Sequence, residues 1–255
     1  IYWTVRLVSG GWKLTPRRFF ALLFEAVAGT AAAAVLLLPS FYAVIQNSRT
    51  GELLSGWDLL IHSRPQRLLD IVHSFFFPPD LPARPNFFPD ADNKWSSMSA
   101  WLPVFGCTGA IAYFQSRRHT DWLRRMLIIC VLCAVVPVLG AMFQLFNSMY
   151  YARWFYMMVL MLVLATVLCF EQREAEPAPP VEWKRAIGWS GGITAAFALV
   201  IGLAPRSWKP DEETGQLTFG LMENPAQFWL YVGIAAVGLV LTGLLVLLYS
   251  SDRPR

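Results

Sequence analysis

The stretch NSMYYARWFYM, residues 147–157, joins two strongly apolar segments with almost no spacer and carries one charge, Arg153, inside a dense aromatic cluster. An apolar run on each side marks it as a tight connection between two membrane crossings. An ionisable residue at such a place is a candidate functional group, because the membrane interior penalises unpaired charge. A second reading stands beside that one. Tyr150, Tyr151, Trp154 and Tyr156 also suit the aromatic belt at a membrane surface, with Arg153 reaching to the lipid headgroups.

Upstream, residues 126–146 read as a span whose Pro137 and Gly140 permit a kink, since neighbouring helices can satisfy the freed backbone. Downstream, residues 154–170 read as the next. Four further apolar runs, 19–45, 99–115, 186–204 and 226–250, complete the pattern. The expected fold is all-α: a polytopic transmembrane helical bundle of about six spans, forming a single membrane domain over 1–255. Residues 46–98 are too polar and proline-rich to cross, and are expected to form one long structured outer loop. Within it, Ser63 followed by Pro65 resembles a helix start, and Leu68, Leu69, Val72, Phe75 and Phe76 follow at helical spacing. Arg64, Arg67, Asp70 and His73 fall on the other side, so this helix is expected to lie along the interface and frame the mouth of a site. Pro78, Pro79, Pro82, Pro85 and Pro89 then give a stiff loop.

Composition agrees with the span pattern. The chain is 56% hydrophobic and 15% charged, with 11 tryptophans, which lies outside the range of soluble domains. Its net charge of +4 is carried in short basic clusters between apolar runs, the footprint of membrane orientation rather than of nucleic-acid binding, which is excluded. Sorting the 21 Lys and Arg by alternate loops puts 13 on one side (Arg6, Lys13, Arg17, Arg18, Arg117, Arg118, Arg124, Arg125, Arg173, Lys184, Arg185, Arg253 and Arg255) and 8 on the other. The positive-inside rule then places both termini in the cytoplasm and Arg153 on the outer face of a plasma membrane. The first residue is Ile and the opening residues read as a helix already under way, so an internal piece of a longer protein is expected.

Few residues offer chemistry. Cys130 and Cys133 form a C-x-x-C, but like Cys107 and Cys169 they sit in apolar runs and read as small buried hydrophobes. His62 and His73 are not joined by a further ligand set, so no metal or cofactor is expected. Asp58, Asp70, Asp80, Asp90 and Asp92 have the chemistry of general bases but read as solvated or capping acids, and Glu25 either faces a helix bundle or polar cavity or, the favoured reading, is an interfacial carboxylate near Arg18 and Lys13. Asp211, Glu212 and Glu213 lie in a polar loop over 205–225. Neither a P-loop nor a G-x-S-x-G elbow nor an H-E-x-x-H pair occurs. What remains is an outer-face site built from Arg153, its aromatic neighbours, and the basic stretch from His62 to His73. Arginine pairs with phosphate oxygens bidentately, and aromatic faces suit sugars or isoprenoid chains, a combination that fits a lipid-linked phosphate.

The run N-S-M-Y-Y-A-R-W-F-Y-M, together with P-P-D-L-P-A-R-P-N-F-F-P-D and the downstream K-W-S-S (Lys94 to Ser97), resembles the YfhO family of bacterial membrane proteins. That family is similar to GT-C-type glycosyltransferases. The resemblance implies transfer of a sugar from a polyprenyl-phosphate donor to a cell-envelope glycopolymer acceptor such as lipoteichoic acid, outside the membrane. It also implies a catalytic Asp in a first outer loop upstream of this piece, so the catalytic base stays unassigned. Arg153 is carried over as the phosphate contact, with Tyr150, Tyr151 and Trp154 around it and Asn147 fixing the loop. A transporter or permease, and a non-catalytic membrane protein, are the alternatives.

Overall fold

The computed structural model describes residues 15–46, 53–80, 87–88, 98–144, 146–148, 150–171, 180–205 and 219–251. Pro82, Pro85, Pro89, Asp90, Asp92 and the K-W-S-S run lie outside them, as do Arg6, Lys13, Arg173, Asp211, Glu212, Glu213, Arg253 and Arg255. Among the described residues the chain is all-helical, and the only strand-like pairings are two isolated bridges, Leu53 with Asn147 and Pro205 with Phe219.

Among the described residues three helices are long and apolar enough to cross a membrane: α1 (Pro16–Ile45), α7 (Trp183–Leu203) and α8 (Pro225–Ser251). Between α1 and α7 come five shorter ones: α2 (Gln66–Phe76), α3 (Thr108–Ser116), α4 (Trp122–Val135), α5 (Pro137–Ala141) and α6 (Phe155–Glu171). Helices α4 and α5, the latter continued by a 3₁₀ turn to Gln144, form a bent pair with a 99° angle that would make a fourth crossing. The chain therefore reads as a membrane protein, and its described residues hold three to four helical spans by length and composition.

The bend has a local cause. Pro137 lacks the N–H that would continue the ladder, and a residue before proline is steered out of the helical region. Val136 accordingly adopts extended backbone, with φ −92° and ψ 115°. Gly140 permits the tight return, because a Cβ there would stand 2.8 Å from the carbonyl oxygen of Cys133.

The expected span 99–115 is helical only over α3. At 1.5 Å per residue nine residues extend about 14 Å, roughly half a hydrocarbon core. Pro103 and the left-handed conformations of Val104 (φ 70°) and Gly106 (φ 52°) keep the preceding stretch irregular. Its carbonyls are still served, for Thr242 of α8 donates from Oγ1 to the Val104 oxygen at 2.7 Å. The basic turn between α3 and α4 is built with equal care. Asp121 caps α4 by accepting from the backbone N–H groups of Leu123 and Arg124, both at 3.0 Å, and from the Tyr113 hydroxyl at 2.9 Å. Arg124 donates to the Phe114 and Arg117 carbonyls at 3.0 and 2.8 Å, closing the end of α3.

Two apolar cores follow. One gathers α3, α4, α6 and the 150–155 connection, with α3 set against α6 at Gly109. The other joins the end of α2 to α7 and α8 through Phe77, Phe87, Phe88, Ile201 and Phe228. All four cysteines are free and buried.

The face that α2 turns inward differs from the one its sequence marks. Arg67, Ile71, His73 and Ser74 are buried, whereas Leu68 and Val72 are exposed. The reason is what surrounds the helix: His73 lies 5.1 Å from the Phe77 ring and 4.7 Å from Phe87, inside an aromatic box, so its polar side meets protein.

Candidate functional site

The bend at Val136 opens a pocket, and the loop before α2 closes over it. Leu54 donates its N–H to the Phe146 carbonyl at 3.0 Å, and Leu53 bridges Asn147, so residues 53–67 lie across the α5 end and residues 146–148. A 3₁₀ turn, Gly56–Leu59, packs on α5. Between these walls is a cavity of about 70 Å³. At roughly 10–15 Å³ per water by the same measure, it has room for a group of several heavy atoms.

Most of the residues that line it are polar. Asp58, His62, Ser63 and Arg67 come from the loop and the first turn of α2, and Gln144, Asn147, Ser148 and Tyr150 from the opposite wall. Pro137 and Ala141 supply the floor on α5. Arg67 is only 7% exposed, and its guanidinium lies 5.2 Å from the centre of the Tyr150 ring, a cation–π contact strengthened by burial. The Tyr150 hydroxyl donates to the Ala134 carbonyl at 3.1 Å, fixing that ring from behind. His62, 6% exposed, meets Tyr150 in a T-shaped contact at 5.4 Å. Neither ring nitrogen of His62 finds a hydrogen bond of full geometry, and burial together with the Arg67 charge holds its pKa down at about 4. At neutral pH the pocket therefore presents one guanidinium beside a neutral imidazole. Among the described residues Asp58 is the only carboxylate in its lining.

The five residues singled out from sequence separate into three places. Tyr150 and Asn147 belong to the pocket wall. Arg153 is exposed, and its guanidinium lies 5.4 Å over the half-buried Tyr151 ring. Trp154 is buried, stacked on Phe143 at 4.9 Å and edge-on to Phe155 at 4.8 Å. The buried cation beside Tyr150 is thus Arg67, from the basic stretch, rather than its sequence neighbour Arg153.

Arg67 was the harder residue to single out, because helical spacing groups it with Arg64 and Asp70 on what reads as a solvated face. The signal for it is its place on an amphipathic helix in a membrane chain, where polar side chains tend to face protein.

Fold and site together define a class: a membrane protein, all-helical over its described residues, with a pocket at the bend between two apolar helices. Comparison of the chain with protein-family models, curated proteins and solved structures finds no match.

Proposed function

We propose that the pocket binds the phosphate of a lipid-linked substrate, and that the chain is part of a membrane glycosyltransferase using a polyprenyl-phosphate sugar donor. The observation that carries this reading is the Arg67 guanidinium, 7% exposed in a pocket wall of hydroxyl, amide and imidazole groups. A buried arginine contacts phosphate more strongly than one in water, and a neutral His62 donates a hydrogen bond without competing for the anion. Asp58, in the same lining, is the carboxylate through which an acceptor hydroxyl bound there would lose its proton. Arg153 over Tyr151 offers a second, exposed contact for a headgroup or a glycopolymer.

The likeness to the YfhO family supports the finer assignment of sugar transfer to a cell-envelope glycopolymer at the outer face of the plasma membrane. In this reading the chain makes six crossings with both termini cytoplasmic. The second crossing is the irregular 98–107 stretch followed by α3. Non-helical backbone at membrane depth is tolerated where protein encloses it, and Ala100, Leu102 and Cys107 are buried while Thr242 serves the Val104 carbonyl.

A permease is the second reading, favoured by the 99° break whose Pro137 lines the pocket, since transporters set their sites at interrupted helices. Sugar transfer by the full-length protein separates the two. Arg67→Ala and Asp58→Asn are expected to lower the rate at least tenfold at equal membrane abundance, with Arg153→Ala milder. Unchanged transfer in the first two variants would remove the glycosyltransferase reading, and uptake of a labelled solute by reconstituted protein would replace it with the permease.

A further inference from the structure

Residues 53–72 expose large apolar side chains that a loop in water would bury. Trp57, Leu60 and Ile61 are 78, 59 and 62% exposed, and one turn of α2 further on Leu68 and Val72 are exposed as well. Of the polar groups in this segment His62 and Arg67 are buried, while Asp58, Ser63 and Arg64 are exposed beside the apolar ones. Backbone bonds from Leu60 and Ile61 to the Trp57 carbonyl, each 3.0 Å, hold this arrangement in the first turn. Helix α2 holds it in the second.

A loop set in water would bury Trp57, Leu60 and Ile61 rather than present all three, because burying apolar surface is the main gain in water. Exposed apolar side chains with Asp58 and Arg64 beside them suit a segment at the boundary between headgroups and hydrocarbon. Its neighbours continue the same surface. Leu54 is bonded to the Phe146 carbonyl, and Phe146 and Phe143 at the end of the broken span are each about half exposed. The exposed Arg64 stands just before α2, where a headgroup phosphate would meet it.

We propose that residues 53–72 form a lip immersed in the lipid leaflet beside the pocket, with Trp57, Leu60, Ile61, Leu68 and Val72 against acyl chains. The occupant of this face is lipid, and the pocket behind it opens at the boundary between headgroups and hydrocarbon. The lip stands whether or not the pocket holds a phosphate.

The test is a spin-label depth measurement on the whole chain in phosphatidylcholine–phosphatidylglycerol vesicles. Single cysteines are introduced as Trp57→Cys, Leu60→Cys, Ile61→Cys, Leu68→Cys and Val72→Cys. All five positions are exposed, so the cores are untouched, and the chain without an added cysteine gives the background from its buried thiols. Relaxation by oxygen, which concentrates in the membrane, should exceed relaxation by a water-soluble nickel chelate at all five. Dominance of the nickel chelate would overturn the lip in favour of a solvated loop. Weak relaxation by both agents would overturn it in favour of a protein cover, such as a second copy of the chain.

Discussion

At the scale of single residues, Tyr150 ties the site together: Arg67 lies over its ring, His62 meets it in a T, and its hydroxyl is spent on the Ala134 carbonyl. Arg153 drew attention in the sequence because its neighbours are aromatic, yet adjacency along an extended connection sends successive side chains in different directions. Tyr150 points to the pocket and Trp154 to the core, while Arg153 is left outside. The partner of Tyr150 comes from a helix more than eighty positions earlier, which no local pattern announces. The two buried histidines give a pH dependence whose sign is fixed. Burial lowers His62 to about 4 and His73 to about 3 from an ordinary 6.5, so both are neutral in the folded chain while the unfolded chain protonates below 6.5. Stability is full above pH 6.5 and is lost as pH falls through 4 and then 3. The thermal midpoint in detergent should therefore drop between pH 6.5 and 4, and His73→Phe, which suits the box of Phe77, Phe87 and Phe88, should flatten that drop with little change at pH 7. An identical pH slope in the variant would mean that His73 is not buried neutral.

At the scale of elements, α2 shows what sequence periodicity can and cannot say. The Ser63-x-Pro65 start and the helical spacing locate a helix, and Gln66–Phe76 is one. Periodicity gives two faces but not which faces protein, since a membrane reverses the sorting rule that water sets. The interruption at 99–107 was hidden for another reason: apolar residues there suit a helix, and only the combined demands of Pro103, Val104 and Gly106 stop it. Arg124 likewise serves orientation in the sequence and also a structural task, binding the carbonyls that end α3. The α3–α6 pair rests on close approach. A Cβ at Gly109 would fall 2.1 Å from Thr166 Oγ1 and 2.6 Å from Thr166 Cβ. Gly109→Ala is expected to destabilise by about 1–3 kcal/mol, as overpacking does, and to lower the thermal midpoint. Adding Thr166→Gly should recover much of that loss, whereas Thr166→Ala should not, because it keeps the obstructing Cβ. An unchanged midpoint in Gly109→Ala would show that the two helices are further apart than described.

At the scale of the whole molecule, the long apolar helices α1, α7 and α8 were legible because hydropathy over eighteen or more residues has few competing explanations. The count beyond them was not, since α3 and α6 are shorter than an ordinary crossing and α4 is broken at Val136. Those short and broken elements are also what makes a pocket possible. An unbroken bundle would run its apolar helices straight past one another, while the bend brings Pro137, Gln144 and Asn147 to face Asp58, His62 and Arg67. The most direct measurement is titration of the intact chain in lipid nanodiscs with farnesyl phosphate, with farnesol and inorganic phosphate as references. The account predicts that farnesyl phosphate binds more tightly than either. It also predicts that Arg67→Ala weakens it at least tenfold, the loss of one charge-assisted contact worth about 1.5–3 kcal/mol, with Arg67→Lys in between. Binding of farnesyl phosphate no tighter than farnesol, or equal affinity in all three proteins, would contradict a phosphate site at Arg67.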